Sequence, residues 1–246
     1  QITLRPKSGN VDDAARALEK LVPAAIVDLK PGRQRYGLFT NDQGGVLDDL
    51  MVAHRGDHLL LVVNAACKVT DEAHLRAKLA DVCEIECLDR ALIALQGPLA
   101  EAAMVRIAPG IESMRFMDVR DVTILGTQCF VSRSGYTGED GFEISVSNED
   151  AAELAAALLI APTVAPIGLG ARDSLRLEAG LCLYGSDLDE ATTPVEAGLA
   201  WAIQSQRRVN GARAGGFPGA DIILAQIEHG TKRNRVGLLP EGRAPV

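Results

Sequence analysis

The order in which two kinds of apolar pattern follow one another limits the possible folds more than any other feature of the chain. Short apolar runs at residues 2–4 and 59–64 are typical of strands, whereas apolar residues recur at helical spacing over residues 11–21. Across residues 1–86 the order is strand, helix, three strands, helix and strand. This order predicts an α+β lobe of the ferredoxin-like type.

A comparable order follows over residues 87–203 and predicts a second α+β lobe. Its strand-like runs lie at residues 92–96, 122–125, 129–132, 142–146 and 167–169. Its helix-like runs lie at residues 99–107, 150–159 and 170–178.

The composition changes after residue 203, and residues 204–246 form a third part of the chain. Residues 206–219 are rich in arginine and glycine and predict a mobile surface loop, whereas residues 221–229 predict a helix. Residues 236–239 have the pattern of a first strand of a further unit, with no other strand left to pair with it. We therefore expect the chain to be a fragment of a longer protein.

The composition argues against several classes of function. Hydrophobic residues make up 47% of the 246 residues, which is enough for a packed core, and the net charge of −8 argues against a nucleic-acid-binding protein. No apolar run approaches the roughly 20 residues that a membrane-spanning helix needs. The five cysteines and four histidines lack metal-ligand spacing, so we expect free thiols in a reducing compartment and no metal.

Two adjacent acids, Asp48 and Asp49, follow a glycine turn at residues 44–45. Side chains of neighbouring strand residues point to opposite faces, so one of the two carboxylates is expected to face the interior. A buried carboxylate is costly unless it meets a donor or a cation, which makes it a candidate for holding an amine or acting as a base. The alternative is an acidic pair that only flanks a turn.

A glycine-rich segment at residues 133–143 contains Tyr136 and ends with Glu143. Its glycines allow the backbone to turn, and the sequence predicts a hairpin tip that displays Tyr136 and carries Glu143 on the return strand. An aromatic ring beside a carboxylate suits a flat, polar heterocycle, through stacking and through acceptance of N–H donors. The alternative is an ordinary hairpin loop.

A turn with Gly168 and Gly170 leads into a helix that carries Arg172 in its first turn. The two glycines match a phosphate loop only weakly, because the later glycine of such a loop is missing. The helix dipole disfavours a cation in this turn, so we expect Arg172 to have an anionic or carbonyl partner. That partner is either a ligand or, within the chain, Asp173 or Glu178.

Taken together, these segments resemble the T-protein family, the aminomethyltransferases of the glycine cleavage system. The segments that match in the family's order and spacing are residues 44–50, 94–98, 135–141, 168–179 and 183–194. The resemblance implies two α+β lobes of the T-protein folate-binding fold, with a C-terminal β-barrel domain that is mostly missing here. It also implies that an N-terminal stretch with a Ser-His-Met segment is absent.

The resemblance implies a transferase that passes a methylene group from the aminomethyl-lipoyl arm of a carrier protein, the H-protein, to tetrahydrofolate and releases ammonia. Asp49 matches the catalytic acid of the family, which orients the folate nitrogens and stabilises positive charge on an iminium-like intermediate. The residues that match folate-binding positions are Tyr36, Asn64, Phe116, Tyr136, Glu143 and Arg172.

Some features leave the particular member of the superfamily open. Glu143 and Arg172 suit a pterin ring, whose edge offers N–H donors and a carbonyl, but a folate-dependent demethylase and a non-enzymatic folate-binding module would share them. Met117 stands where the family has a second aromatic residue. Because parts of the family's folate site are missing, we expect impaired or no activity. We also expect a monomer, in the bacterial cytoplasm or, in a eukaryote, the mitochondrial matrix.

Overall fold

The structure, a computed structural model, describes residues 1–239 and Gly242. It confirms the predicted α+β fold, because helices pack on two antiparallel sheets. The strands are β1 Ile2–Pro6, β2 Gln34–Thr40, β3 Val46–His54, β4 Leu59–Val63, β5 Cys83–Cys87, β6 Arg90–Gln96, β7 Val119–Ile124, β8 Thr127–Ser132 and β9 Gly141–Ser147. The helices are α1 Val11–Leu18, α2 Lys68–Leu79, α3 Ala100–Val105, α4 Ala151–Leu159, α5 Leu169–Glu178 and α6 Ala220–His229.

The first sheet has the strand order β2-β3-β4-β1-β5, and each neighbouring pair is antiparallel. The helix α1 begins after Asn10, whose side chain accepts a hydrogen bond from the backbone N–H of Asp12 at 3.1 Å. One face of the sheet packs against α1 and α2 and forms a buried core that includes Leu18, Phe39 and Leu75. The opposite face of β3 is less buried, and this alternation places Asp48 and Asp49 on different faces of the sheet.

The second sheet has the strand order β6-β9-β8-β7 and is also antiparallel. Its own core lies between β9, α3 and α4 and includes Met104, Phe142 and Leu154. A third small cluster, formed by Ala53 and Leu60 of the first sheet and Val119 and Phe130 of the second, packs the two sheets together. No helix in the described part of the chain is both long and apolar enough to cross a membrane.

A short segment between α3 and β7 connects the two sheets through its backbone. Met117 takes a left-handed conformation with φ 68°, accepts a hydrogen bond from the N–H of Gln34 at 2.9 Å and donates to the carbonyl of Arg133 at 2.9 Å. Beside it, Arg33 forms an ion pair with Asp118. Along the sequence, the first sheet ends with β5 and the second begins with β6, close to the predicted boundary at residue 86. The division of the chain into parts 1–86, 87–203 and 204–246 stays a prediction.

Two of the predicted strands are wrong. Residues 167–169 do not form a strand, because Gly168 is the extended residue that precedes α5 and Leu169 is the first residue of this helix. Residues 236–239 are largely exposed and form no strand, since no strand of the described residues pairs with them.

Residues 206–219 form a loop, as predicted, and ion pairs to Glu19 attach this loop to the first lobe. Arg207 is 4% exposed, donates to the backbone carbonyl of Glu19 at 2.6 Å and lies 3.4 Å from its carboxylate. Arg213 donates to the same carboxylate at 3.0 Å and to Asp28 at 2.6 Å. The contact spans 188 positions of sequence, so no local pattern could indicate it.

The Glu19 pair gives a test of this attachment. Replacement of Arg207 by Met leaves a buried carboxylate with Arg213 as its remaining partner, so the free energy of unfolding should fall by about 3 kcal/mol. The matched control Arg16→Met removes an exposed arginine that lies 3.8 Å from Asp12, and it should cost less than about 1 kcal/mol. Urea denaturation measures both values, and equal losses would contradict the structural role of Arg207.

Candidate functional site

Asp48 and Asp49 alternate in burial along β3, as the sequence predicts, but their carboxylates converge on one donor. Asp48 is fully buried, whereas Asp49 is partly buried on the other face. The side-chain Nδ2 of Asn64, just after β4, donates to Oδ1 of Asp48 at 2.8 Å and to Oδ1 of Asp49 at 2.7 Å. The donor that a buried carboxylate requires is therefore present for both residues.

Asp49 also accepts a hydrogen bond from Tyr36, whose Oη lies 2.9 Å from Oδ2. Burial raises the pKa of Asp49, and the hydrogen bonds from Tyr36 and Asn64 act in the opposite direction. Burial and the charge of Asp49 raise the pKa of Tyr36 far above its usual range, so its phenol stays a donor. The ring of Tyr36 stacks on Trp201, with centroids 5.4 Å apart.

A cavity of about 620 Å³ lies at the edge strand β6, bounded by the hairpin tip and by α5. Tyr136, Glu143 and Arg172, which the sequence assigns to one site, all line it. Apolar side chains such as Leu158 and Ile167 form the opposite wall. The cavity therefore combines an aromatic ring, a carboxylate and a guanidinium with an apolar surface.

The charged groups of the cavity are not neutralised by each other. Glu143 accepts a hydrogen bond from Oγ of Ser134 at 3.0 Å, and Arg172 lies over the ring of Tyr136, 4.3 Å from its centroid. In the described residues no carboxylate forms an ion pair with Arg172, so the alternative of an internal partner is wrong. Asp173 pairs instead with Arg176, at 2.9 Å. The donors of Arg172 and an oxygen of Glu143 are therefore open to a ligand.

The side chain of Gln96 holds the hairpin tip in place. Its Nε2 donates to the carbonyl of Ser134 at 3.0 Å, and its Oε1 accepts from Oγ1 of Thr137 at 3.1 Å. A side chain at Gly135 would place its Cβ 1.7 Å from this Oε1, so any residue other than glycine requires the Gln96 amide to move. Sequence reasoning did not assign Gln96 to the site, although it lies in the matched segment 94–98.

The carboxylate pair and the cavity adjoin through Tyr136. Its Oη donates to the backbone carbonyl of Cys182, and Cys182 belongs to the apolar cluster against which Tyr36 packs. Burial raises the pKa of Tyr136 to about 12, and the charge of Asp49 contributes to this shift. Asp49, Tyr36 and Asn64 do not line the cavity, and the apolar cluster of Cys182, which both tyrosines contact, lies between them and Tyr136.

Phe116 lies apart from these contacts. Its side chain is 66% exposed and does not line the cavity, while its carbonyl accepts a hydrogen bond from Arg33 at 2.9 Å. The role of Phe116 in folate binding stays a prediction.

Sequence reasoning missed two buried polar residues beside the site. Arg176 is the buried residue of α5, and it donates to Asp187 at 2.6 Å. This ion pair attaches the loop that follows α5, which contains Cys182, to the helix. Asp71 is 3% exposed and lies beside Asp48.

No group of three or more His, Cys, Asp or Glu side chains in the described residues could hold a metal ion.

The fold and the site together define a class: two-sheet α+β proteins in which a ligand cavity adjoins a buried pair of carboxylates. Residues 10–207 match the family described as GCVT N-terminal domain, and the chain belongs to this family. The predicted resemblance to the T-protein family is thereby confirmed.

Similar proteins support the same assignment. The mitochondrial aminomethyltransferase of Flaveria pringlei is 48% identical over 241 residues, covering 94% of this chain and 58% of the relative. That of Canis lupus familiaris is 46% identical over 243 residues, with 95% and 59% covered. The crystal structure of glycine cleavage system aminomethyltransferase T from Bartonella henselae has a TM-score of 0.89 and 38% identity, covering 100% of this chain and 65% of that one. The chain thus spans less than two thirds of these relatives.

The hydrogen bond from Tyr36 gives a test of the electrostatics at Asp49. Because this bond lowers the pKa of Asp49, the substitution Tyr36→Phe should raise that pKa further. The control Tyr184→Phe removes a hydroxyl that does not contact Asp49 and should leave its pKa unchanged. Carbon-detected NMR of aspartate carboxyl groups measures both, and a lowered pKa in Tyr36→Phe would contradict the assigned contact.

The fit between Gly135 and Gln96 gives a second test. The substitution Gly135→Ala must displace the Gln96 amide from the hairpin tip, and we expect a loss of about 1–3 kcal/mol in the free energy of unfolding. The control Gly170→Ala adds a methyl group inside α5 with no atom within 4 Å, so it should be neutral or slightly stabilising. Denaturant unfolding compares the two variants, and a neutral Gly135→Ala would show that Gln96 does not hold the tip.

Proposed function

We propose that the chain is the folate-binding and catalytic part of a tetrahydrofolate-dependent aminomethyltransferase of the glycine cleavage system. It transfers a methylene group from the aminomethyl-lipoyl arm of the carrier H-protein to tetrahydrofolate, and ammonia is released. Membership of the GCVT N-terminal domain family and the names of the similar proteins support this activity.

The observation that carries the proposal is the series of contacts that runs from Asp49 through Tyr36 and the Cys182 cluster to Tyr136 of the cavity. The carboxylate of Asp49 is held by Tyr36 and Asn64, and its charge acts on Tyr136, which lines the cavity. A group bound on Tyr136 can therefore extend to within the reach of Asp49. This arrangement suits a reaction in which positive charge develops next to a bound heterocycle.

Tetrahydrofolate fits the groups that surround the cavity. A volume of about 620 Å³ is typical of sites for small organic ligands. The carboxylate of Glu143 can accept N–H donors from the pterin edge, and the guanidinium of Arg172 can donate to its carbonyl. The ring of Tyr136 offers a stacking face, and no metal takes part in the proposal.

Asp49 acts as the catalytic carboxylate. It orients N5 and N10 of tetrahydrofolate and stabilises the positive charge that develops during the transfer. Since Tyr36 and Asn64 each hold one of its oxygens, the carboxylate needs no reorganisation when that charge appears.

The remaining parts of the proposal concern the setting of the reaction. The protein acts as a monomer that meets the lipoyl carrier protein transiently, without a nucleic-acid or membrane partner. The Flaveria and Canis relatives are named as mitochondrial, which supports a mitochondrial location for a eukaryotic protein. The matrix as the compartment in a eukaryote, and the cytoplasm in a bacterium, belong to the proposal.

The substitution Asp49→Asn tests the assigned roles. Tetrahydrofolate binding, measured by calorimetric titration, should be retained because Glu143, Arg172 and Tyr136 remain. Carrier-dependent transfer, measured in the complete protein, should fall by about 10²–10³-fold, because the fixed negative charge is lost. The exposed control Asp121→Asn should change neither quantity.

Each other outcome has a defined meaning. Unchanged transfer in Asp49→Asn would contradict the catalytic assignment, and no tetrahydrofolate binding by the wild type would contradict the proposed function as a whole. Demethylation of a methylated amine without a carrier would favour the demethylase alternative. Folate binding without turnover of either kind would favour the non-enzymatic module.

A further inference from the structure

Asp71, in the first turn of α2, is a buried acid that the proposed mechanism does not use. Its side chain is buried, and its Oδ2 has no hydrogen-bond partner among the N–H and O–H groups of the described residues. The titratable groups that face it are Asp48 and Asp49 from β3, Cys67 from the start of α2 and Tyr184 from the loop after α5. None of these groups is a cation.

Asp71 and Asp48 are neighbours, and a hydrogen bond between their carboxyl groups requires a proton. Two ionised carboxylates are acceptors only, so they cannot form a hydrogen bond with each other. Burial and the two neighbouring aspartates raise the pKa of Asp71 to about 8. The start of α2 favours an ionised acid, but this effect is smaller than the cost of an unpaired buried charge.

The hydrogen bonds around Asp48 indicate which residue of the pair carries the proton. Oδ1 of Asp48 accepts from Nδ2 of Asn64 at 2.8 Å, and Oδ2 accepts from the backbone N–H of Asn64 at 3.2 Å. Both oxygens of Asp48 are therefore acceptors, as in an ionised carboxylate. Asp71 receives no such donors at Oδ2, so it is the better carrier of the proton.

We propose that Asp71 is a positioning residue, held as a neutral carboxylic acid that donates to Asp48 and thereby keeps the Asn64 amide aligned on Asp49. Asp48 and Asp49 are connected through Asn64, because the same Nδ2 of Asn64 donates to both carboxylates. An ionised Asp71 would repel Asp48 and displace the amide that both β3 carboxylates share. Only the last link, from Asp49 to catalysis, rests on the proposed function.

Infrared spectroscopy of the chain with ¹³C-labelled aspartate tests the protonation state directly. At pH 6 we expect the C=O band of a protonated aspartic acid in the wild type and its loss in Asp71→Asn. The control Asp57→Asn should keep the band, because an exposed ion pair with Arg5 holds the pKa of Asp57 at about 2. Absence of the band from the wild type, or its persistence in Asp71→Asn, would overturn the proposal.

The pH dependence of unfolding gives an independent measurement. The folded state keeps a proton on Asp71 that the unfolded chain loses above about pH 4, so this group favours folding less as the pH rises towards about 8. Relative to Asp71→Asn, the wild-type unfolding equilibrium constant should rise up to tenfold per pH unit in that window. Parallel pH profiles of the two proteins would contradict the proposal.

The positioning role predicts a different pattern from a merely structural one. Asp71→Leu, which cannot donate to Asp48, should lower kcat of carrier-dependent transfer and leave tetrahydrofolate affinity unchanged. Asp71→Asn keeps an N–H donor and should restore kcat. Equal kcat losses in Leu and Asn variants would overturn the positioning role, and if Asp71→Leu does not fold, the infrared and unfolding measurements decide. Failure of transfer in the complete wild-type protein would contradict the proposed function and leave the infrared result intact.

Discussion

Two adjacent aspartates in the middle of a sheet both need hydrogen-bond donors, and the one side-chain amide of Asn64 serves both. This is possible because the antiparallel pairing of β3 with β4 sets Leu50 opposite Val63, so that Asn64 follows directly beside the acids. A register shift of one residue would turn every β3 side chain to the other face and leave a carboxylate buried without a donor. The position of the site is therefore tied to one strand pairing.

The two halves of the site belong to different sheets, so their alignment depends on how the sheets pack. Asp49 lies on β3 of the first sheet, whereas Glu143 lies on β9 of the second. The cluster around Phe130 and the backbone bonds of Met117 keep these sheets together. Substitutions at this interface can therefore disturb the reaction site without touching a ligand-binding residue.

The sequence predicted the elements well and the long-range polar contacts poorly. Local periodicity identifies strands such as β3 and helices such as α4, because each periodicity reflects one buried face. It could place Asp48 and Asp49 on opposite faces but could not find Asp71, which meets them only after β4 and α2 have packed. The buried pair of Glu19 and Arg207 was missed for the same reason, since a charge pattern alone does not indicate a partner 188 positions away.

Trp201 is the only tryptophan of the chain, and its indole lies on the ring of the tyrosine that holds Asp49. Indole emission depends on the polarity and mobility of its surroundings. With no competing tryptophan, the intrinsic fluorescence of the unlabelled protein arises next to the β3 carboxylates. The molecule therefore carries its own optical reporter at the site, which can follow ligand entry and proton uptake in real time.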